Sequence, residues 1–119
     1  MKQVQGCAIM SSMVSLKEFK KLNIRIGTVT KVERVPGSNK LYKLLVDVGG
    51  ETPTQIITGL VGYYTENELQ GKRIAVLTNL EPAKIFGQVS NGMLLAAEYQ
   101  DKLALITVDR DIPNGARVT

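Results

Sequence analysis

The run at residues 23–35 constrains this chain more than any other feature, because it is largely β-branched and yet cannot hold a single alternation. Apolar positions fall at Ile24 and Ile26, shift parity to Val29, and shift again to Val32. A half-buried strand alternates with a period of two, so a slip beside Gly27 predicts a long strand that bulges and bends strongly. Pro36-Gly37-Ser38-Asn39 then forms a turn. Beyond it Tyr42, Leu44, Val46 and Val48 alternate with Lys43, Leu45 and Asp47, which predicts a second strand. Gly49-Gly50-Glu51 turns the chain into a third strand at residues 54–58, joined to the second as a hairpin.

Two helix starts are marked by capping boxes. Ser15-Leu16-Lys17-Glu18 opens a short helix to about Leu22, with Leu16, Phe19 and Leu22 on one face, ready to cover an end of the fold. Thr65-Glu66-Asn67-Glu68 opens another between the third strand and Lys72. Residues 73–78 read as a fourth strand, 81–91 as a long polar loop, 93–97 as a fifth strand and 103–108 as a last one. A turn at Pro113-Asn114-Gly115 closes the chain.

Three strands, a short helix, then two strands, with a coiled first strand bearing a central glycine, is the pattern of a five-stranded Greek-key barrel of the OB type. A small SH3-like barrel is the competing all-β solution, and the helix between strands three and four favours OB. The expectation is an all-β OB-fold barrel with short helices and a C-terminal extension, occupying residues 15–119 behind a tail at 1–14. Met13 is an alternative natural start. At 119 residues the chain accommodates one such domain with a real core.

Charge is distributed unevenly. Residues 1–43 hold nine Lys/Arg against two Glu, or +7, so the remaining six against nine carry −3 of the net +4. Such asymmetry predicts a basic surface near the start of the fold, suited to a polyanion. Arg25, Lys31 and Arg34 on the first strand and Lys43 on the second are the candidates for it.

The chemistry of catalysis is thinly represented. There is no histidine, and Cys7, in the tail, is the lone cysteine, so neither a disulfide nor a cysteine-based zinc site is expected. Asp109 and Asp111 read as a solvated pair before a dyad, and Glu66 and Glu68 as helix-capping residues. No phosphate-binding glycine loop or nucleophile elbow occurs. The expectation is a protein without catalytic residues, metal or cofactor. The apolar stretch at residues 6–10 is too short for a signal-peptide core and no segment reaches a membrane-spanning length, so a reducing cytoplasm is expected.

OB barrels read ligands on strands two and three and through the loops after strands one and four. Here those loops offer Ser38, Asn39 and Lys40, then Asn79, Lys84, Gln88, Ser90 and Asn91: neutral donors beside cations, suited to phosphate and sugar. Phe86, one of two phenylalanines, stands in the middle of the second loop, where it either stacks on a base or caps the core.

The ordered series Leu22-Asn23-Ile24-Arg25-Ile26-Gly27-Thr28-Val29, Asn39-Lys40-Leu41-Tyr42, Val46-Asp47-Val48-Gly49, Gly59-Leu60, Asn79-Leu80-Glu81-Pro82-Ala83-Lys84 and Ser90-Asn91-Gly92-Met93-Leu94-Leu95-Ala96-Ala97 resembles the tRNA-binding domain found at the C-terminus of methionyl-tRNA synthetases and in free-standing relatives. The resemblance covers about residues 19–119. It implies an OB barrel with a C-terminal extension, usually homodimeric, which recognises tRNA by shape with little sequence discrimination and acts beside a methionyl-tRNA synthetase catalytic subunit. It also implies RNA-contacting or loop-ordering roles for Asn39, Lys40, Asn79, Lys84, Ser90 and Met93, and marks Arg25 as the family's first-strand arginine.

The chain departs from that pattern at two places. Val35-Pro36 and Asn39 stand where the family commonly has His-Pro and an Asp, and Ile85-Phe86-Gly87 stands where it commonly has Leu-Arg-Gly. Losing that arginine removes one phosphate contact, for which Phe86 substitutes stacking. A chaperone-like or protein-interaction dimer on the same barrel is the alternative from another class, and an enzyme a distant third.

Overall fold

Strand β1, Ile24–Arg34, organises the molecule by belonging to two ladders at once. Its first half, Ile24 to Thr28, pairs antiparallel with β4 (Arg73–Leu77), and its second half, Thr28 to Arg34, pairs antiparallel with β2 (Tyr42–Asp47). The computed structural model describes residues 12–119. The tail assigned to residues 1–14, and Cys7 with it, therefore lies largely outside the described residues.

The parity slip in the sequence has two structural sources. A bulge breaks the β1–β2 register between Val29 and Lys31. At Gly27 the strand coils tightly over its neighbour: a Cβ there would lie 2.7 Å from Val46 Cγ1 and 2.8 Å from the Asp47 carbonyl oxygen, closer than any side chain tolerates.

Strand β3 (Thr54–Thr58) pairs with β2, and β7 (Met93–Leu94) with β4, giving the sheet order β3-β2-β1-β4-β7. The ends of this sheet approach each other, and the ring is nearly closed by bonds from the chain just before β7. Asn91 N–H donates to the Gln55 carbonyl at 2.8 Å, and Ile57 N–H donates to Ser90 Oγ at 3.0 Å. Gly92 makes this approach possible, since a Cβ there would sit 2.9 Å from the Leu77 carbonyl oxygen. The architecture is the expected all-β, OB-like barrel.

Inside the ring, Val29, Leu44, Val46, Ile56, Leu60, Ile74 and Val76 are fully buried. One end is plugged by Leu69 from helix α2, Glu66–Leu69, which was given its start by a reciprocal capping box between Thr65 and Glu68. Helix α1, Leu16–Phe19, carries the same device between Ser15 and Glu18. A second apolar cluster lies on the outer face of β1 and β4, where Ile24, Ile26, Ala75 and Leu77 are covered by Phe19, Val108, Ala116 and Val118. Only Phe19 of the three apolar α1-face residues does this covering; Leu16 and Leu22 remain exposed.

The last third of the chain differs from expectation. Residues 81–91 form no loop but a hairpin, β5 (Ala83–Ile85) and β6 (Gln88–Ser90), joined by Phe86-Gly87. The expected strand at 93–97 divides at Leu95 into β7 and β8 (Ala96–Tyr99), and β8 pairs with β9 (Lys102–Leu105) as a separate two-stranded ribbon. Leu95 is the junction: its N–H donates to the Ala75 carbonyl, one step beyond the Val76–Leu94 pair, and its carbonyl accepts from Ile106 N–H, one step beyond the Ala96–Leu105 pair, so the chain passes here from the barrel to the ribbon.

Candidate nucleic-acid interface

The loop after β1 and the hairpin after β4 meet at one edge of the barrel. In the first loop, Ser38 Oγ accepts from the N–H groups of Lys40 and Leu41, both at 3.2 Å, a turn that leaves Asn39 and Lys40 exposed at its crest. In the hairpin, Phe86 and Gly87 have φ of 54° and 81°, the signature of a tight two-residue turn. Asparagine and glycine usually occupy both positions, and a bulky residue in the left-handed region is strained. The strained turn holds the Phe86 ring 59% exposed, with its Cε2 against Gly37. Behind this contact, Gln88 joins Glu33, Arg34, Val35, Pro36 and Lys43 around a small cleft between the two loops.

Charge on this edge is selectively unpaired. Lys31 and Lys43 both contact Glu33, at 3.6 and 3.4 Å, so the expected row of first-strand cations is partly neutralised. Arg34, Lys40 and Lys84 make no ion pair among the described residues. These three cations, at the end of β1, in the loop after it and in the hairpin, are available to a polyanion, while the Glu33 carboxylate in the cleft between them is held by Lys31 and Lys43.

The other residues singled out in the sequence divide into those that face solvent and those that order the loops. Met93 is 46% exposed. Ser90 is only 5% exposed; its hydroxyl accepts from Ile57 N–H and donates to the Gly92 carbonyl at 3.1 Å, so both its roles are spent within the protein. Asn79 Oδ1 accepts from Asn23 N–H at 2.8 Å and its Nδ2 donates to the Lys21 carbonyl at 2.7 Å, tying the start of the hairpin to the segment before β1. Arg25 lies at the far end of β1 from Arg34. Its guanidinium donates to Asn23 Oδ1 at 2.6 Å and to the Gly115 carbonyl at 3.0 Å, fastening the C-terminal segment to the barrel. Arg25 thus lies in the half of β1 that pairs with β4, whereas Lys31 and Arg34 lie in the half that pairs with β2. The Gly37 contact with Phe86, and the exposed Leu80 and Val89 beside it in sequence, carry no signal that pattern reading detects.

Asp109 and Asp111 form no dyad. Asp109 meets Arg110 at 3.0 Å, and that guanidinium holds its carboxyl below the usual value, while Asp111 meets Arg73 at 3.4 Å. Among the described residues no cluster of His, Cys, Asp and Glu has the makings of a metal site, and no helix is long and apolar enough to cross a membrane.

A small, nearly closed antiparallel barrel whose two ligand-side loops join in a cationic edge belongs to the class of OB-like nucleic-acid-binding modules. Residues 24–117 match the family model described as "Putative tRNA binding domain", and the chain belongs to that family. It is 48% identical over 105 residues to the methionine–tRNA ligase of Archaeoglobus fulgidus, covering 88% of this chain and 16% of that ligase. With the Thermotoga maritima ligase it shares 42% over 118 residues, 99% of this chain and 19% of the other. The chain thus spans less than a fifth of the length of these curated relatives. Among solved structures it is similar to a MetRS-related protein from Pyrococcus horikoshii, with a TM-score of 0.84, 39% identity, and 91% and 99% of the two chains covered. The chaperone CsaA of Bacillus anthracis has the same fold, with a TM-score of 0.81 and 26% identity, covering 91% of this chain and 100% of its own.

Proposed function

We propose that this chain binds tRNA without catalysing a reaction, reading the shape of the molecule with little regard to sequence, and that it serves a methionyl-tRNA synthetase as an accessory subunit or appended domain. The observation that carries this reading is the contact of Phe86 with Gly37, which brings together the two loops that carry Lys40 and Lys84 beside Arg34, none of them in an ion pair among the described residues. Cations placed on phosphates bind through counterion release and carry no base information. Binding in trans in the cytoplasm would raise the synthetase's hold on tRNA by avidity.

The active form is a homodimer. Its support is the apolar surface on α1 and the C-terminus, where the exposed Leu16 and Leu22 line a groove with Phe19 and Val118, and Met13 and Val14 are exposed just before α1. Two copies joined there would hold two cationic edges in a fixed relation.

The reading is tested by titrating the protein with mixed tRNA, a plain RNA duplex and a single-stranded oligonucleotide at several salt concentrations. Tightest binding to tRNA, with log affinity falling linearly against log salt, is the expected result. Equal and weak binding to all three refutes shape reading. A second reading, a polypeptide-binding dimer, draws on Leu80, Phe86, Val89 and Met93, all exposed on or beside the hairpin, and on the likeness to a chaperone. Tight binding of unfolded polypeptide with no preference for tRNA would establish it instead.

A further inference from the structure

The barrel is not fully closed, and the place where it fails to close has a shape. Strands β3 and β7 approach without forming a ladder, and the β5–β6 hairpin arches over the gap between them. Beneath the hairpin lies a niche of about 160 Å³, walled by Ile57 and Thr58 from β3, Ala83 and Ile85 from β5, and Leu80 and Met93 at its mouth. That is roughly five waters' worth of space at about 30 Å³ each, enough for one planar ring. The walls are apolar, and Ser90, at the back, has its hydroxyl proton committed to the Gly92 carbonyl. Leu80 and Met93 are more than 40% exposed at the entrance, so the niche opens to solvent.

No cation lines it, but a lysine lies next to its walls on each side. Lys84 lies on the roofing strand between Ala83 and Ile85, and the alternation of β5 turns its side chain to the outer face of the hairpin. At the other side Thr58 pairs with Tyr42 at the end of the ladder, and just beyond it the Lys40 carbonyl accepts from Val61 N–H at 3.2 Å. Lys40 thus sits beside the Thr58 end, exposed and outside any ion pair among the described residues. An apolar slot with a free cation on either side complements a group that is flat and apolar at one end and anionic at the other. An apolar peptide side chain would fill the slot but leave both lysines unanswered.

We infer that the niche receives one unstacked nucleobase of the bound RNA, with the phosphates on either side of it held by Lys40 and Lys84. This rests on the tRNA-binding reading and adds to it a preference for RNA bearing an unpaired base over a perfectly paired helix of equal charge. It is separate from stacking on Phe86, which lies at the hairpin tip and does not line the niche.

The niche walls contain no aromatic ring, and this makes the test direct. Two RNA duplexes of equal length are compared, one fully paired and one with a single unpaired 2-aminopurine. The unpaired duplex is expected to bind at least about fivefold tighter, and its fluorescence to rise on binding as the base leaves its neighbours for an aliphatic slot. Ala83→Leu, at an exposed position, fills the niche and should abolish both effects while leaving the salt dependence unchanged. Its fold is checked by thermal melting, and the fluorescence change in the wild-type protein needs no variant at all.

Quenched or unaltered fluorescence on binding overturns the inference, quenching pointing to Phe86 as the platform. Persistence of the preference in a folded Ala83→Leu protein overturns it too. Displacement of an apolar peptide by this substitution, with RNA binding unaltered, assigns the niche to polypeptide. If mixed tRNA fails to bind the wild-type protein, the tRNA-binding reading falls first.

Discussion

The ring of Phe86 rests against the backbone of Gly37: a Cβ at residue 37 would lie 3.3 Å from Phe86 Cε2, and both residues have positive φ, 54° and 83°. Two loops from opposite ends of the sheet are thereby set in one relation by residues that both occupy the left-handed region. Glycine adopts that region freely, whereas phenylalanine is strained by about 1–3 kcal/mol. A strained, exposed aromatic at this turn costs stability, and the proposed reading gives that cost a use in binding.

Phe86→Asn tests that trade. Asn-Gly is the favoured sequence for this two-residue turn, so the variant should be more stable by about 1 kcal/mol, read as a rise of several degrees in Tm. Its affinity for tRNA should fall about fivefold or more, the loss of one stacked base. A variant that is stabilised but binds as well as the wild type would make the ring a spacer between loops.

What could be read from the sequence was decided by how many apolar residues each element commits to one face. Strands β1 to β4 were legible because each buries a row of aliphatics in the ring, and the capping boxes at Ser15 and Thr65 because the device is local. The β5–β6 hairpin was not. With three residues in each strand and Ala83, Ile85, Gln88 and Ser90 on its inner side, it has too little hydrophobic contrast to show a period of two. The bonds that tie Arg25 to Asn23 and Gly115 were not legible for a related reason. Linear spacing along β1 says nothing of the coil at Gly27 and the bulge near Thr30, which carry its two ends to different surfaces. Lys40, Lys84 and Phe86 were legible as candidates because they sit in the loops this kind of barrel uses, but their meeting through Gly37 was not, since it depends on long-range packing.

Lys40→Ala and Lys84→Ala should each weaken binding to different tRNAs by similar factors and reduce the slope of log affinity against log salt by about 0.7–0.9, the release of one counterion. Thermal stability should stay within about 0.5 kcal/mol, since both side chains are exposed and outside ion pairs among the described residues. Arg25→Ala supplies the contrast: released from Gly115, the C-terminal segment should become sensitive to protease while the salt slope is unchanged. A slope unaltered by either lysine substitution would remove both from the interface.

Ser90→Ala should destabilise the barrel by about 1–3 kcal/mol, because it removes the acceptor of Ile57 N–H, a buried donor at the seam between β3 and β7. Chemical denaturation measures this. Loss of tRNA affinity should follow only as far as the hairpin loosens, so Ser90→Thr, which keeps the hydroxyl, should restore most of both. Full stability in Ser90→Ala combined with lost binding would instead make the hydroxyl an RNA contact.

The remaining prediction concerns assembly. Leu16 and Leu22 flank Phe19, yet they contribute nothing to the cluster that Phe19 helps cover. They line one groove with Phe19 and Val118, and Met13 and Val14 are exposed just before α1 in sequence, an arrangement that solvent disfavours and a second copy would bury. If the proposed dimer forms, Leu16→Glu combined with Leu22→Glu should convert it to a monomer by sedimentation, with the monomer's Tm close to that expected from loss of association alone, because both residues are exposed and stand outside the cluster on β1 and β4. Each monomer retains Arg34, Lys40 and Lys84, so tRNA binding should persist with a smaller salt slope and an affinity reduced by the lost avidity. A wild-type protein that sediments as a monomer at every concentration would leave the groove to a different partner.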